Sequence, residues 1–162
     1  MSTFSKILAA VDGGDLTGKI TAYAVRLSED ADLWFVFALD PSEFFSDAAA
    51  AVYGATNDRA TAIEAAQRVV DQCIASAKEA GVSARGHVVE QSPVNAILET
   101  AGQIDADLIV LASHGRSGLT RAVLGSVAEG VARRADVAVL FVPTHSDDDR
   151  SHARSNPGGT AS

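Results

Sequence analysis

The residues best suited to chemistry lie in one stretch, from Ala112 to Ser126, where Gly115, Gly118 and Gly125 alternate with Ser113, His114, Arg116, Ser117 and Arg121. The stretch follows the apolar run Leu108-Ile109-Val110-Leu111 and precedes a helical pattern from Ser126 to Arg134. A glycine-bearing loop between a strand and a helix start gathers unpaired backbone N–H groups into a concave donor surface, and glycines can turn there with φ > 0. Such a surface suits an anion, and phosphate above all. Arg116 is placed to pair with it, whereas Arg121, farther from the glycines, reads as a solvated loop residue. His114 is the one histidine in the loop and the only candidate among the histidines for a phosphate neighbour. Ser126 and Glu129 have capping-box spacing, a structural role that does not prevent the Ser126 amide from meeting a phosphate.

Asp12 closes the first apolar run, Ile7 to Val11, and precedes Gly13-Gly14. It has two readings: an acceptor for a ribose or base, or a turn-forming or helix-capping carboxylate. A second glycine stretch competes for phosphate. Gly13-Gly14-Asp15-Leu16-Thr17-Gly18-Lys19-Ile20 has the glycines and lysine of a P-loop, and Asp40 ends the next strand where a magnesium-holding acid would stand. It departs from that pattern at Ile20, which replaces a magnesium-binding hydroxyl, and at Asp15, whose charge opposes phosphate. His87, His114, His145 and His152 have no metal-ligand spacing, and no Gly-x-Ser-x-Gly occurs, so no catalytic residue and no metal ligand is assigned. Cys73, the only cysteine, shares a helical face with Ile63, Ala66, Val70 and Ala77 and reads as a buried structural thiol.

The elements that position these residues follow from apolar periodicity. Strands are expected at Ile7–Val11, Leu33–Leu39, Arg85–Val89, Leu108–Ala112 and Val137–Val142, the third of them at a sheet edge or partly exposed. Helices are expected from about Thr17 to Ser28, from Asn57 to Ala80 with its stop at Gly81, from Ser92-Pro93 with Ser92 as N-cap, and from Ser126. Five strands alternating with four helices imply an α/β domain, a parallel sheet with helices on both faces. Ligands of such sheets bind beyond the carboxyl ends of the strands, where strand order reverses. If the first and fourth strands are neighbours, Asp12 and the 112–126 loop share that crevice. Residues 41 to 56, with Phe44-Phe45 and an alanine run, have no clear period: they cover a site or partner surface, or pack on the adjacent helix.

The chain has 162 residues, one domain's worth, with 47% hydrophobic and 21% charged residues. A net charge of −8 argues against nucleic acid as a partner, since phosphate backbones reward excess Lys and Arg. No signal-like or membrane-spanning apolar segment is visible, which leads to the expectation of a cytoplasmic protein with no membrane partner. The domain is expected over 1–143, and the polar stretch 144–162, with Asp147-Asp148-Asp149, is expected to be a disordered tail.

Over residues 4 to 143 the chain resembles the universal stress protein family. The carriers are the strand end Val11-Asp12, the run Asp107 to Leu119, Leu124-Gly125-Ser126-Val127, and Val142-Pro143. The ATP-binding branch of that family has Gly, two residues, Gly, nine residues, Gly, then Ser or Thr; Gly115, Gly125 and Ser126 match, and Ala112 stands in place of the first glycine. The resemblance implies an adenine-nucleotide alpha hydrolase-like sheet of order 3-2-1-4-5 and a homodimer formed through the last strand. It also implies ATP, with Mg²⁺ or Mn²⁺, held between Asp12 and the glycine loop. Ala10, Asp12 and Ala38 would line the adenine and ribose side, and Ala112, Gly115, Gly125, Ser126 and Val127 would hold ribose and phosphates, with Arg116 beside them. The role implied is stress response or signalling through a partner protein, with at most slow ATP hydrolysis or autophosphorylation. Two alternatives are a dimerisation module that binds no nucleotide and a P-loop NTPase using Gly13 to Lys19.

Overall fold

Apolar strands too hydrophobic to face water on either side demand cover on both faces, and the computed structural model supplies it. It describes residues 3–43, 59–114 and 124–143. The strands are β1 (Lys6–Val11), β2 (Asp32–Ala38), β3 (Ala84–Val89), β4 (Leu108–Ala112) and β5 (Ala138–Val142); the helices are α1 (Thr17–Leu27), α2 (Arg59–Glu79), α3 (Pro93–Gln103) and α4 (Ser126–Arg134). All pairings are parallel, in the order β3-β2-β1-β4-β5. The expected fold class and strand order both hold. A 3-10 turn, Pro41–Glu43, follows β2. The rest of the unreadable segment, from Phe44 onward, lies outside the described residues, as does 144–162.

Alternate residues of each strand point to opposite faces and build two cores. On one face Ile7, Ala9, Leu33, Phe35, Phe37, Leu108 and Val110 pack under α1 and α2, through Ile20, Ala24, Ala66, Val70 and Ala77. On the other, Leu8, Val36, Ile109 and Leu111 pack under α3 and α4, through Ile97, Ala101, Ala128 and Val131. Cys73 is buried in the first core, as its helical spacing predicts, and burial pushes its thiol pKa up, with only partial relief from Thr21. β3 is an edge strand among the described residues, and its residues are mostly half-buried, in keeping with its weak apolar pattern.

At the amino end of the sheet Asp107 ties β4 to β1. Its carboxylate accepts the N–H of Ser5 at 2.7 Å and of Lys6 at 3.0 Å, while its own N–H donates to the Lys6 carbonyl at 3.0 Å. Burial opposes ionisation of this carboxyl, but the backbone N–H groups of Ser5, Lys6 and Asp107 itself, together with the Lys6 charge, outweigh it and hold the pKa below the usual value.

Candidate functional site

The topology places β1 beside β4, so the strand order reverses between them and a crevice is expected at their carboxyl ends. The pairing there has a specific form. The β1–β4 ladder runs from Ile7↔Leu108 to Ala9↔Val110 and ends two residues short of both Val11 and Ala112. On the outer sides pairing continues to the ends, through Val11↔Phe37 and Ala112↔Val142. The two central strands therefore part at their carboxyl ends while each stays tied to its outer neighbour.

Asp12 stands at the β1 side of this opening. Its Oδ1 accepts the Gly14 N–H at 2.9 Å, with the Thr17 hydroxyl at 3.5 Å. Gly13 takes φ = 74°, a left-handed conformation for which glycine is suited. The turn-forming reading of Asp12 is thus realised. Leu16, not Asp12, occupies the N-cap position of α1, and no side chain caps that helix.

On the β4 side, Ser113 extends the ladder by donating its N–H to the Val142 carbonyl at 3.0 Å, and its own carbonyl accepts the Gly125 N–H at 2.9 Å. That second bond brings the start of α4 against the end of β4. Gly125, not Ser126, is the N-cap, with extended φ −61° and ψ 160°, and no side chain caps the helix. The capping-box expectation is therefore wrong. Ser126 is already helical, and the Glu129 carboxylate turns outward to Arg133 at 2.8 Å. The physical consequence favours a ligand: the amides of Ser126, Val127 and Ala128, in the first turn, have neither an intrahelical acceptor nor a side-chain cap. The positive end of the helix dipole coincides with them. Ser92 likewise holds the N-cap position of α3 without a side-chain hydrogen bond, contrary to its expected capping role.

Ala112, where the similar family branch has glycine, is a strand residue paired with Val142. Its φ is not positive, since Asp105 is the one described non-glycine residue with that conformation. Its methyl packs against the first core, so the substitution costs the backbone nothing. Ala10 packs on the second core and Ala38 is half-buried at the end of β2. The structure thus brings Ala10, Asp12, Ala112, Gly125, Ser126 and Val127 to the carboxyl ends of β1 and β4, with Ala38 one strand away. Gly115 and Arg116 lie outside the described residues.

The rival glycine stretch has committed its key groups elsewhere. The Lys19 ammonium donates to the Pro143 carbonyl at 2.8 Å, the Gly14 N–H is bonded to Asp12, and Asp40 Oδ1 accepts from the Ser42 N–H and hydroxyl at 2.9 and 2.7 Å. Two features of the site have no local sequence signal. One is the parting of β1 from β4; the other is the unpartnered state of the buried His114 Nε2. Among the described residues no group of His, Cys, Asp and Glu could hold a metal ion, and no helix is long and apolar enough to cross a membrane.

Comparison with known proteins agrees with this architecture. The model of the universal stress protein family matches residues 3–143. A universal stress protein of Methanocaldococcus jannaschii, MJ0531, is 31% identical over 141 residues, covering 86% of this chain and 82% of its own. A universal stress protein solved in complex with cAMP is 27% identical with a TM-score of 0.62, over 89% of this chain and 100% of that one. The Archaeoglobus fulgidus universal stress protein solved with dAMP has a TM-score of 0.62 over 88% of this chain and 98% of that one, and at 18% identity it speaks to the fold alone. The match to the family model spans the described domain from residue 3 to residue 143, so this chain belongs to the universal stress protein family.

Proposed function

We propose that this protein binds an adenine nucleotide, ATP with Mg²⁺ or Mn²⁺, in the crevice between the ends of β1 and β4, and acts as a nucleotide-dependent stress-response or signalling protein. The observation that carries the reading is the early end of the β1–β4 ladder beside an uncapped helix start. The first-turn amides of α4 present positive dipole and donors to phosphate, and the Asp12 carboxylate presents acceptors to ribose hydroxyls or base N–H groups, so the two walls match the two ends of a nucleotide. Ala10, Asp12 and Ala38 would line the adenine and ribose side; Ala112, Gly125, Ser126 and Val127, with Gly115 and Arg116 from the intervening sequence, would hold ribose and phosphates. A divalent ion would enter on the phosphates. The nucleotide held by the 27%-identical solved relative, cAMP, is an adenine nucleotide, which supports the base assignment.

The chain is proposed to work in the cytoplasm as a homodimer and to pass the bound state to a partner protein, with no fast turnover. The P-loop alternative loses support from the engagement of Lys19 with Pro143. Mass spectrometry of nucleotide carried through purification, followed by titration calorimetry with ATP and Mg²⁺, tests the reading. Co-purifying adenine nucleotide and measurable binding heat are expected; an empty protein that gives no heat overturns it in favour of a nucleotide-free dimerisation module.

A further inference from the structure

Among the described residues two buried side-chain polar atoms lack a hydrogen-bond partner, Gln91 Oε1 and His114 Nε2. His114 is the one at the crevice, two residues past the end of β4, and it is only 8% exposed. Its Nδ1 lies 3.2 Å from the Ser113 hydroxyl. The Ser113 carbonyl in turn accepts the Gly125 N–H, the contact that sets the α4 start against the β4 end. The imidazole is therefore held one residue from the junction of strand and uncapped helix. A buried polar atom with no partner costs on the order of 1–3 kcal/mol, and a ligand atom that pairs with it removes that cost only in the bound state.

We propose that His114 Nε2 is a ligand contact, donating a hydrogen bond to a phosphate oxygen bound at the α4 N-terminus. The contact between the Ser113 hydroxyl and Nδ1 is compatible with a ring whose Nε2 carries a proton, and in this proposal that atom is the donor. A donor there selects the same charge as the first-turn amides of Ser126, Val127 and Ala128. The inference deepens the nucleotide reading and rests on it. The recognised chemistry is a phosphate oxygen, whether carried by a nucleotide or by free inorganic phosphate.

The test uses the full chain with ¹⁵N-labelled imidazoles, the His114 signals being identified by their loss in His114→Gln. AMP is expected to move the Nε2 resonance of His114, and adenosine to leave it in place; a shift with inorganic phosphate alone assigns the contact to free phosphate. In calorimetry His114→Leu is expected to weaken AMP roughly tenfold or more, the usual effect of losing one hydrogen bond to a charged group. His114→Gln, whose amide N–H can stand in for Nε2–H, should retain most of the affinity, and adenosine should bind all three proteins alike. Equal AMP affinity for wild type and His114→Leu, or an Nε2 resonance unmoved at AMP saturation, overturns the inference while leaving the nucleotide reading intact. A wild type that binds neither AMP nor ATP overturns both. If His114→Leu does not fold, the wild-type resonance decides.

Discussion

At the scale of single residues, the carboxylates in this protein are turn and strand fasteners before they are anything else. Asp12 closes a turn on Gly14, and Asp107 clamps two consecutive amides at the start of β1. The Asp107 pKa lies below its unfolded value of about 3.8, so its stabilisation is fully present above that pH and is lost as pH falls through the lower, folded value. Asp107→Asn is therefore expected to lower stability at neutral pH by about 1 kcal/mol, at the low end for charged hydrogen bonds because the carboxylate stays wetted. The deficit relative to wild type should shrink in denaturant titrations as pH is taken below 3.8. A gap independent of pH would mean that the charge of the carboxylate is not the source of the loss.

At the scale of elements, the close approach of α2 to the edge strand depends on Gly86. A Cβ at that position would meet Val70 Cγ1 at 2.6 Å and the Phe35 carbonyl oxygen at 2.9 Å, and the latter is backbone that cannot rotate away. A glycine inside a strand often marks such a contact. Gly86→Ala is expected to destabilise by about 1–3 kcal/mol, the range for overpacking a filled core. Thermal and urea unfolding check this, and an unchanged midpoint would show that β3 can slide outward without cost. The position lies far along the sheet from α4, so nucleotide affinity should be unaffected in the folded fraction.

At the scale of the whole molecule, β5 ends the sheet among the described residues, with an edge on which Val139, Leu140 and Phe141 are only half-buried. Unpaired, partly apolar edges are aggregation hazards unless something covers them. A second copy pairing along β5 would do so, consistent with the proposed homodimer. Size-exclusion chromatography with light scattering is expected to give twice 16.7 kDa. A monomeric mass at micromolar concentration would rule out that dimer. β5 also supplies the Val142 carbonyl that fixes Ser113, so the proposed dimer contact and the β4 end of the crevice share one strand.

Much of this was legible in the sequence because it depends on local periodicity. Apolar runs such as Ile7–Val11 and Leu108–Ala112 specify buried parallel strands, and Gly81 and Pro143 end their elements, as the structure bears out. The glycine loop before Ser126 marked a place for an anion, and the family resemblance supplied the strand order. Capping was misread at Ser92 and Ser126, since side-chain spacing permits a hydrogen bond that the backbone course then withholds. Only the tertiary structure decided that β1 and β4 part early, that Lys19 is drawn to Pro143 and that His114 Nε2 is left buried without a partner. Each of these is a relation between segments about a hundred residues apart in the chain or a matter of what surrounds a side chain, and no local pattern of residues encodes it.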